Sequence, residues 1–217
     1  MSRYRGPRLR ITRRLGELPG LTRKASARQN PPGQHGALPK KPSQYSIRLQ
    51  EKQKLRFNYG ISEHQLIGLV KKARRQVGST GERILQLLEM RLDTIIYRSG
   101  FAPTLRASRQ LVSHGHVQVN ARAVNIPSYQ MKVGDIFGIR GKQGAARLSE
   151  AKLAPAGIPQ PKHLDFNSSG ASSGGAGSGS AGFAPALQGV VKQIIDRQDV
   201  GCTVDEFLII EYYSRKI

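Results

Sequence analysis

The sequence predicts an α+β protein: a basic N-terminal arm, a helical domain, and a small unit in which two helices give way to a short-stranded antiparallel sheet. Three observations predict this. Apolar residues recur at helical spacing between residues 45 and 114. From residue 116 the apolar period drops to two, as in half-buried strands. The net charge is +21 over 217 residues, and +16 of it falls in residues 1–81, which hold 19 basic and 3 acidic residues.

Residues 1–44 read as a mostly irregular arm. Arg3, Arg5, Arg8, Arg10, Arg13 and Arg14 are interleaved with Gly6, Pro7, Gly16, Pro19 and Gly20, and Pro31, Pro32, Pro39 and Pro42 break any long helix. So little apolar surface does not offset the entropy of ordering, so the arm is expected to order only on a partner. Its Arg clusters, with Tyr4 and His35 among them, suit phosphate contacts and base stacking.

Ile47, Leu49, Leu55 and Phe57 then mark a helix that ends at Gly60, with Lys52, Lys54 and Arg56 between them. Those three cations do not share one helical face, so at least one is expected to be solvated. Ser62-Glu63-His64-Gln65 has the form of a capping box. It opens a helix with Leu66, Leu69 and Val70 inward and Lys71, Lys72, Arg74 and Arg75 outward. Ser79-Thr80-Gly81-Glu82 repeats the signal ahead of the stripe Ile84, Leu85, Leu87, Leu88, Leu92, Ile95 and Ile96, which Gly100 stops. Arg91 and Asp93 flank Leu92, so an internal salt bridge is one reading of Arg91. Thr104 caps a further helix to His114, with Leu111 and Val112 inward and Arg106 and Arg109 outward, and Gly115 closes it.

Residues 116–120 alternate, turn at Ala121-Arg122, and continue through 123–126. Val133-Gly134-Asp135 signals a turn before a strand over 136–140. Residues 167–182 are almost entirely Gly, Ser and Ala, a flexible loop or linker. Val190, Val191, Ile194 and Ile195 read as helical. Residues 207–213 read as a short helix, capped within 203–206, or equally as a strand, and are apolar enough to return to the helical domain.

Composition bounds the function. A balance this basic calls for a polyanion, with nucleic acid ahead of an anionic membrane. No apolar run approaches the ~18 residues of a membrane span. Cys202 is the single cysteine, which excludes an internal disulfide and any multi-thiolate zinc or iron–sulfur site. Gly170-Ala-Ser-Ser-Gly174 fits a serine-hydrolase elbow but lacks a strand before it and a helix after it. Gly141-Lys142-Gln143-Gly144 is no phosphate loop, since Gln stands where Ser or Thr is needed. His114-Gly115-His116 offers two imidazoles with no supporting carboxylate pair, so no metal and no cofactor are expected.

Several blocks then carry a resemblance. Arg91-Leu-Asp-Thr-Ile-Ile-Tyr-Arg98, Ala107-Ser-Arg-Gln-Leu-Val-Ser-His-Gly-His-Val-Gln-Val-Asn120, Ile126-Pro-Ser-Tyr129 and Gly134-Asp135 resemble the small RNA-binding domain named after protein four of the small ribosomal subunit. Ser2-Arg-Tyr-Arg-Gly-Pro7, Pro31-Pro-Gly-Gln-His-Gly36, Glu51-Lys-Gln-Lys-Leu-Arg56, Tyr59-Gly60, Gly81-Glu82 and Glu211-Tyr-Tyr-Ser-Arg215 are similar to the family of that ribosomal protein as a whole. Arg13-Arg-Leu-Gly-Glu-Leu-Pro-Gly-Leu-Thr22, Leu87-Leu-Glu-Met-Arg-Leu-Asp93 and Val190-Val-Lys-Gln-Ile-Ile-Asp196 resemble its plastid and cyanobacterial branch. Because the resemblance starts at residue 2, the Arg-rich start is expected to be mature protein and not a transit peptide. The chain departs from the family in three places. No cysteine knuckle stands near Leu9 and Thr12, the hairpin turn is Asn120-Ala121 in place of Asn-Gly, and the Gly/Ser stretch reads as an insertion. Ala tolerates positive φ poorly, so that turn is expected to be strained or differently shaped.

The resemblance implies a small RNA-binding domain inserted into a helical one. The expected organisation is an arm over 1–44, a helical domain over 45–90 completed by 188–217, the small domain over 91–150, and a linker over 151–187. It implies a non-enzymatic constituent of the small subunit that binds small-subunit ribosomal RNA early, nucleates assembly of the body and, beside protein five, affects decoding accuracy. The implied partners are that RNA, small-subunit proteins including protein five, and messenger RNA where it enters the subunit, with no membrane. The implied location is a chloroplast-stroma ribosome or, alternatively, the cyanobacterial cytoplasm. The RNA-facing residues expected in the small domain are Arg106, Arg109, Gln110, His114, His116, Asn120, Arg122 and Tyr129. Two rivals remain at this point. One is an RNA-modifying enzyme carrying a similar small domain, for which no room for a catalytic domain is left. The other is a general polyanion binder, which would show no preference among RNAs.

Overall fold

The computed structural model describes residues 4–28, 30–34, 36, 41–140, 162–167 and 188–214. In chain order the helices are α1 (Arg8–Leu15), α2 (Gln44–Asn58), α3 (Glu63–Arg74), α4 (Thr80–Glu89), α5 (Leu92–Arg98), α6 (Leu105–Ser113) and α7 (Glu206–Ser214). The strands are β1 (Val117–Val119), β2 (Arg122–Ala123), β3 (Ile136–Ile139), β4 (Leu164–Asn167) and β5 (Gln188–Val191). The chain divides into two units, Met1–Leu88 with Val200–Ile217, and Glu89–Asp199.

The first unit is helical. The capping box forms: the Ser62 hydroxyl accepts from the Gln65 amide and the Gln65 side chain accepts from the Ser62 amide, so α3 starts with two of its orphan donors satisfied. Leu66, Val70 and Ala73 recur along one side of α3 and are buried, while Lys71, Lys72 and Arg74 stay exposed. The C-terminal residues form α7, not a strand, with Asp205 Oδ1 accepting from the Phe207 amide at 3.0 Å. This helix packs on α2, burying Ile209, Tyr212 and Tyr213.

Two expectations for this unit are corrected. The arm does not wait for a partner throughout. Residues 8–15 are helical, and Ile11, Leu18 and Leu21 form a small buried cluster with Leu15 and Phe57 packed against it. The Gly20 amide donates to buried Asn58 Oδ1 at 2.9 Å. Burying three such side chains stabilises by roughly 1.5–3 kcal/mol each, enough to hold a segment whose composition alone reads as unstructured. The segment from residue 188 also divides: only Val200–Ile217 belong to this unit.

In the second unit, α5 and α6 pack on an antiparallel sheet of order β2-β1-β3-β5-β4. Its core includes Leu92, Ile95, Ile96, Leu111, Val112, Val117, Phe137, Ile139 and Val191. No side chain caps α5. The Pro127 and Tyr129 carbonyls accept from the Asp93 and Leu92 amides at 3.1 and 2.9 Å, so the loop after β2 does the capping.

Residues 188–191, expected as helix, are strand β5 between β3 and β4. The spacing of Val190, Val191, Ile194 and Ile195 fits a helix, but tertiary contacts decide. A Cβ at Gly189 would lie 2.5 Å from the Phe137 ring, so only glycine allows β5 this close to β3, and Val191 is fully buried. β4 lies within the segment expected to be a linker. The Gly/Ser stretch beyond residue 167, with its elbow-like motif, and the Gly141-Lys142 stretch lie outside the described residues.

The hairpin turn takes the strained option. Asn120 and Ala121 have φ of 49° and 64°, a pair of left-handed residues as in a two-residue hairpin turn.

Candidate nucleic-acid interface

The basic residues sort into those held by the fold and those presented to solvent. On α1, Arg10 and Arg14 are four apart and exposed, as is Arg5 ahead of the helix. Arg13 and Arg8 are half-buried and bond to backbone. Arg13 Nε donates to the Asn30 carbonyl at 2.8 Å, and Arg8 Nη1 donates to the Leu21 carbonyl at 3.4 Å. Both tie the N-terminal segment together. Tyr4 is partly exposed and sets its ring edge-on to Phe57, with centroids 5.5 Å apart. Arg3 and His35 lie outside the described residues.

On α2 the expected contact through Lys52 is corrected. Lys52 is 4% exposed, donates to Glu63 Oε2 at 2.9 Å, and sits 4.8 Å from the centre of the Tyr212 ring. Tyr213 donates to the other Glu63 oxygen at 2.7 Å. Burial pushes the Glu63 carboxyl up, but the hydrogen bonds from Lys52 and Tyr213 and the charges of Lys52 and Arg56 outweigh it and hold its pKa below the usual value. Burial pushes the Tyr213 phenol up, and the Glu63 carboxylate adds to it. Lys52 is therefore a clasp between α2, α3 and α7. Lys54 pairs with Glu51 at 2.5 Å, and Arg56 lies over the Phe57 ring with Glu63 3.9 Å away. Lys71, Lys72, Arg74 and Arg75, by contrast, are all exposed at the end of α3. Their charges complement the helix dipole there, a role that leaves their outer faces open to a polyanion.

In the second unit, Asp93 is fully buried and binds two guanidinium groups. Arg91 donates from Nε and Nη2 to its two oxygens at 2.9 Å each, and Arg109 Nε donates to Oδ2 at 2.7 Å. The Ser108 hydroxyl donates to the Asp93 carbonyl. The internal reading of Arg91 holds. Arg109, expected on the RNA-facing side, also makes an internal pair: its side chain is 12% exposed and locks α6 to α5. Arg106, three residues earlier on α6, is half-buried.

Asn120 stays exposed, but its side chain is engaged within the fold. Its Oδ1 accepts from the Ile136 amide and its Nδ2 donates to Asp135 Oδ1, both at 2.9 Å, so it joins the hairpin turn to the turn before β3. Arg122 and Tyr129 remain exposed.

The end of α6 shapes the rest. Gly115, at φ 75°, donates to the Val112 carbonyl at 2.9 Å, and the His116 amide donates to the Leu111 carbonyl at 3.2 Å. This is a Schellman closure, which turns His116 back beside His114. The two imidazole centroids are 6.1 Å apart. Ala107, Gln110, Leu111, His114 and His116 line a small open hollow.

Comparison with known proteins decides what carries this arrangement. The profile described as "Ribosomal protein S4/S9 N-terminal domain" matches residues 3–89, and the "S4 domain" matches residues 90–137. The small ribosomal subunit protein uS4 of Thermosynechococcus vestitus is 53% identical over 218 residues, covering all of both chains. That of Synechococcus elongatus is 52% identical over the same full length. The small ribosomal subunit protein uS4c of Nephroselmis olivacea is also 52% identical across both chains.

The chain belongs to the uS4 family. With membership comes a structural role in the small ribosomal subunit and no catalytic one. The profile boundary at residues 89–90 nearly coincides with the boundary between the two structural units. The cyanobacterial and plastid-type resemblance is borne out by these relatives.

Sequence reasoning missed Ala107 and Leu111 as surface-shaping residues of this uS4 chain. Their spacing with Gln110 and His114, at i, i+3, i+4 and i+7 on one helix face, is the signal that finds them.

Proposed function

We propose that the protein binds small-subunit ribosomal RNA directly and early, nucleates assembly of the subunit body and, beside protein five at the messenger entrance, contributes to translational accuracy. It does so in a plastid ribosome or in the ribosome of a cyanobacterium. The observation that carries this reading is the fate of the cations. In the second unit the fold pairs three cations with buried acids, Arg91 and Arg109 with Asp93 and Arg98 with Glu89. Arg5, Arg10, Arg14, Lys71, Lys72, Arg74, Arg75 and Arg122 are left exposed in a chain of net charge +21.

Each such cation that meets a phosphate releases counterions, so affinity should fall steeply with salt. The planar Arg fork adds bidentate geometry that a lysine lacks. Arg106, Gln110, His114, His116, Arg122 and Tyr129 are the side chains we assign to RNA in the second unit.

Reconstitution tests the assembly role. Small subunits assembled from purified components without this protein should stall before the body forms, and adding it first should restore assembly faster than adding it last. Assembly indifferent to its presence and order would overturn the reading. Misreading of a near-cognate codon by subunits carrying Lys71, Lys72, Arg74 and Arg75 all changed to Gln tests the accuracy role, where an unchanged error rate counts against it.

A further inference from the structure

The hollow on α6 differs in kind from the phosphate-binding candidates. Its lining is the methyl of Ala107, the buried side chain of Leu111, the exposed amide of Gln110 and the rings of His114 and His116. Among the described residues, neither Arg nor Lys lines it. A phosphate site draws on fixed positive charge and forked donors. A floor of aliphatic carbon, two aromatic rings and one amide instead match a flat, uncharged heteroaromatic ring, which gains from stacking and from an edge that pairs a donor with an acceptor.

The geometry is fixed by the backbone. The Schellman closure at Gly115 holds His116 against the end of α6, and the imidazoles stand at 50° to each other, splayed rather than stacked face to face. His114 is exposed, so its ring is within reach of a third partner. Gln110 projects from the same side of the helix, and its amide carries both a donor and an acceptor. Arg109, the neighbouring cation, is turned away to Asp93. The described lining of the hollow therefore holds no Arg or Lys side chain, although the unit is basic.

We infer that this hollow receives a single unpaired nucleobase of the bound RNA, stacked on an imidazole of the His114–His116 pair and met at its edge by the Gln110 amide. The inference rests on the reading of the protein as a binder of ribosomal RNA. It assigns to this spot base recognition, where the exposed arginines and lysines supply backbone contacts.

Base-specific chemical probing of the complex between the full chain and a small-subunit ribosomal RNA transcript tests it, using dimethyl sulfate and a carbodiimide to cover all four bases. The wild-type protein should protect one unpaired base. Ala107→Met, which fills the hollow, and Gln110→Ala, at an exposed helical position, should both restore its reactivity. The hydroxyl-radical footprint on the backbone and the salt dependence of binding should be unchanged, and affinity should fall about tenfold, within the usual worth of one stacked base. Unaltered base reactivities in both variants, with circular dichroism showing them folded, would overturn the subsite and leave the ribosomal reading standing. A salt slope reduced by about one would mark the hollow as a phosphate contact and overturn it too. Failure of the wild-type protein to prefer this RNA over an unrelated one would take down both readings.

Discussion

Arg109 Nε and Asp93 Oδ2 meet at 2.7 Å, on the same carboxylate oxygen that accepts from Arg91 Nη2. With Asp93 fully buried, this triad joins α5 and α6, so the helix that presents Arg106, Gln110 and His114 is held in place by an arginine that looks, in sequence, like one more RNA contact.

Charge reversal at the two arginines of α6 should therefore separate fold from binding. Arg109→Glu sets a second carboxylate against a buried one, and the second unit should lose about 3–5 kcal/mol, the usual cost of breaking a buried pair. Arg106→Glu, at a half-buried position on the same helix, should weaken RNA binding. Urea melts of both variants check this; a wild-type midpoint for Arg109→Glu would show that the triad is not structural.

Ala121→Gly should stabilise the protein. A left-handed non-glycine residue costs roughly 1–2 kcal/mol, and Ala121 sits at φ 64°. Glycine relieves that strain but adds some freedom to the unfolded chain, so a net gain of about 0.5–1 kcal/mol is expected in denaturant melts.

Gly115→Ala should do the reverse. Nothing lies within 4 Å of the added methyl, so the cost is purely that of φ 75°, about 1 kcal/mol. Because the residue also places His116, RNA affinity should drop along with the melting midpoint. Loss of stability with wild-type affinity would separate the closure from binding.

Acid sensitivity should trace in part to His163. This side chain is fully buried, and neither ring nitrogen has a hydrogen-bond partner among the described residues. Burial lowers its pKa below the usual 6.5; Glu89 and Asp199 pull it up and Arg98 pushes it down, without cancelling that effect. The unfolded chain then binds the proton more readily than the folded one. This contribution to stability is complete above about pH 6.5 and lost progressively as pH falls below it. Between pH 7 and pH 5 the wild-type protein should lose more stability than His163→Leu does. Parallel losses in urea melts at the two pH values would refute the assignment.

Much of this was legible in sequence where the signal was local. Ser62 and Gln65 sit three apart and form the capping box, the stripe from Ile84 to Ile96 is buried except at half-buried Leu87, and the alternation after His116 becomes strands. What was not legible depends on partners far along the chain. Lys52 and Lys71 look alike in sequence, but Glu63 and Tyr212 bury the first. Arg106 and Arg109 look alike in sequence, but Asp93 draws Arg109 into a buried pair. Ile11, Leu18 and Leu21 are too sparse to announce a core until Phe57 covers them. Val190 and Val191 read as helical by spacing, and the fit of Gly189 under Phe137 decides for a strand.

The most direct test of ribosomal RNA binding is a titration of the purified full-length protein against small-subunit ribosomal RNA and a length-matched unrelated RNA at one fixed, moderate salt concentration. Selective uS4-type recognition predicts markedly tighter binding to the ribosomal RNA, with both affinities falling as salt rises. Equal affinities for the two RNAs would contradict it and leave only a general polyanion binder.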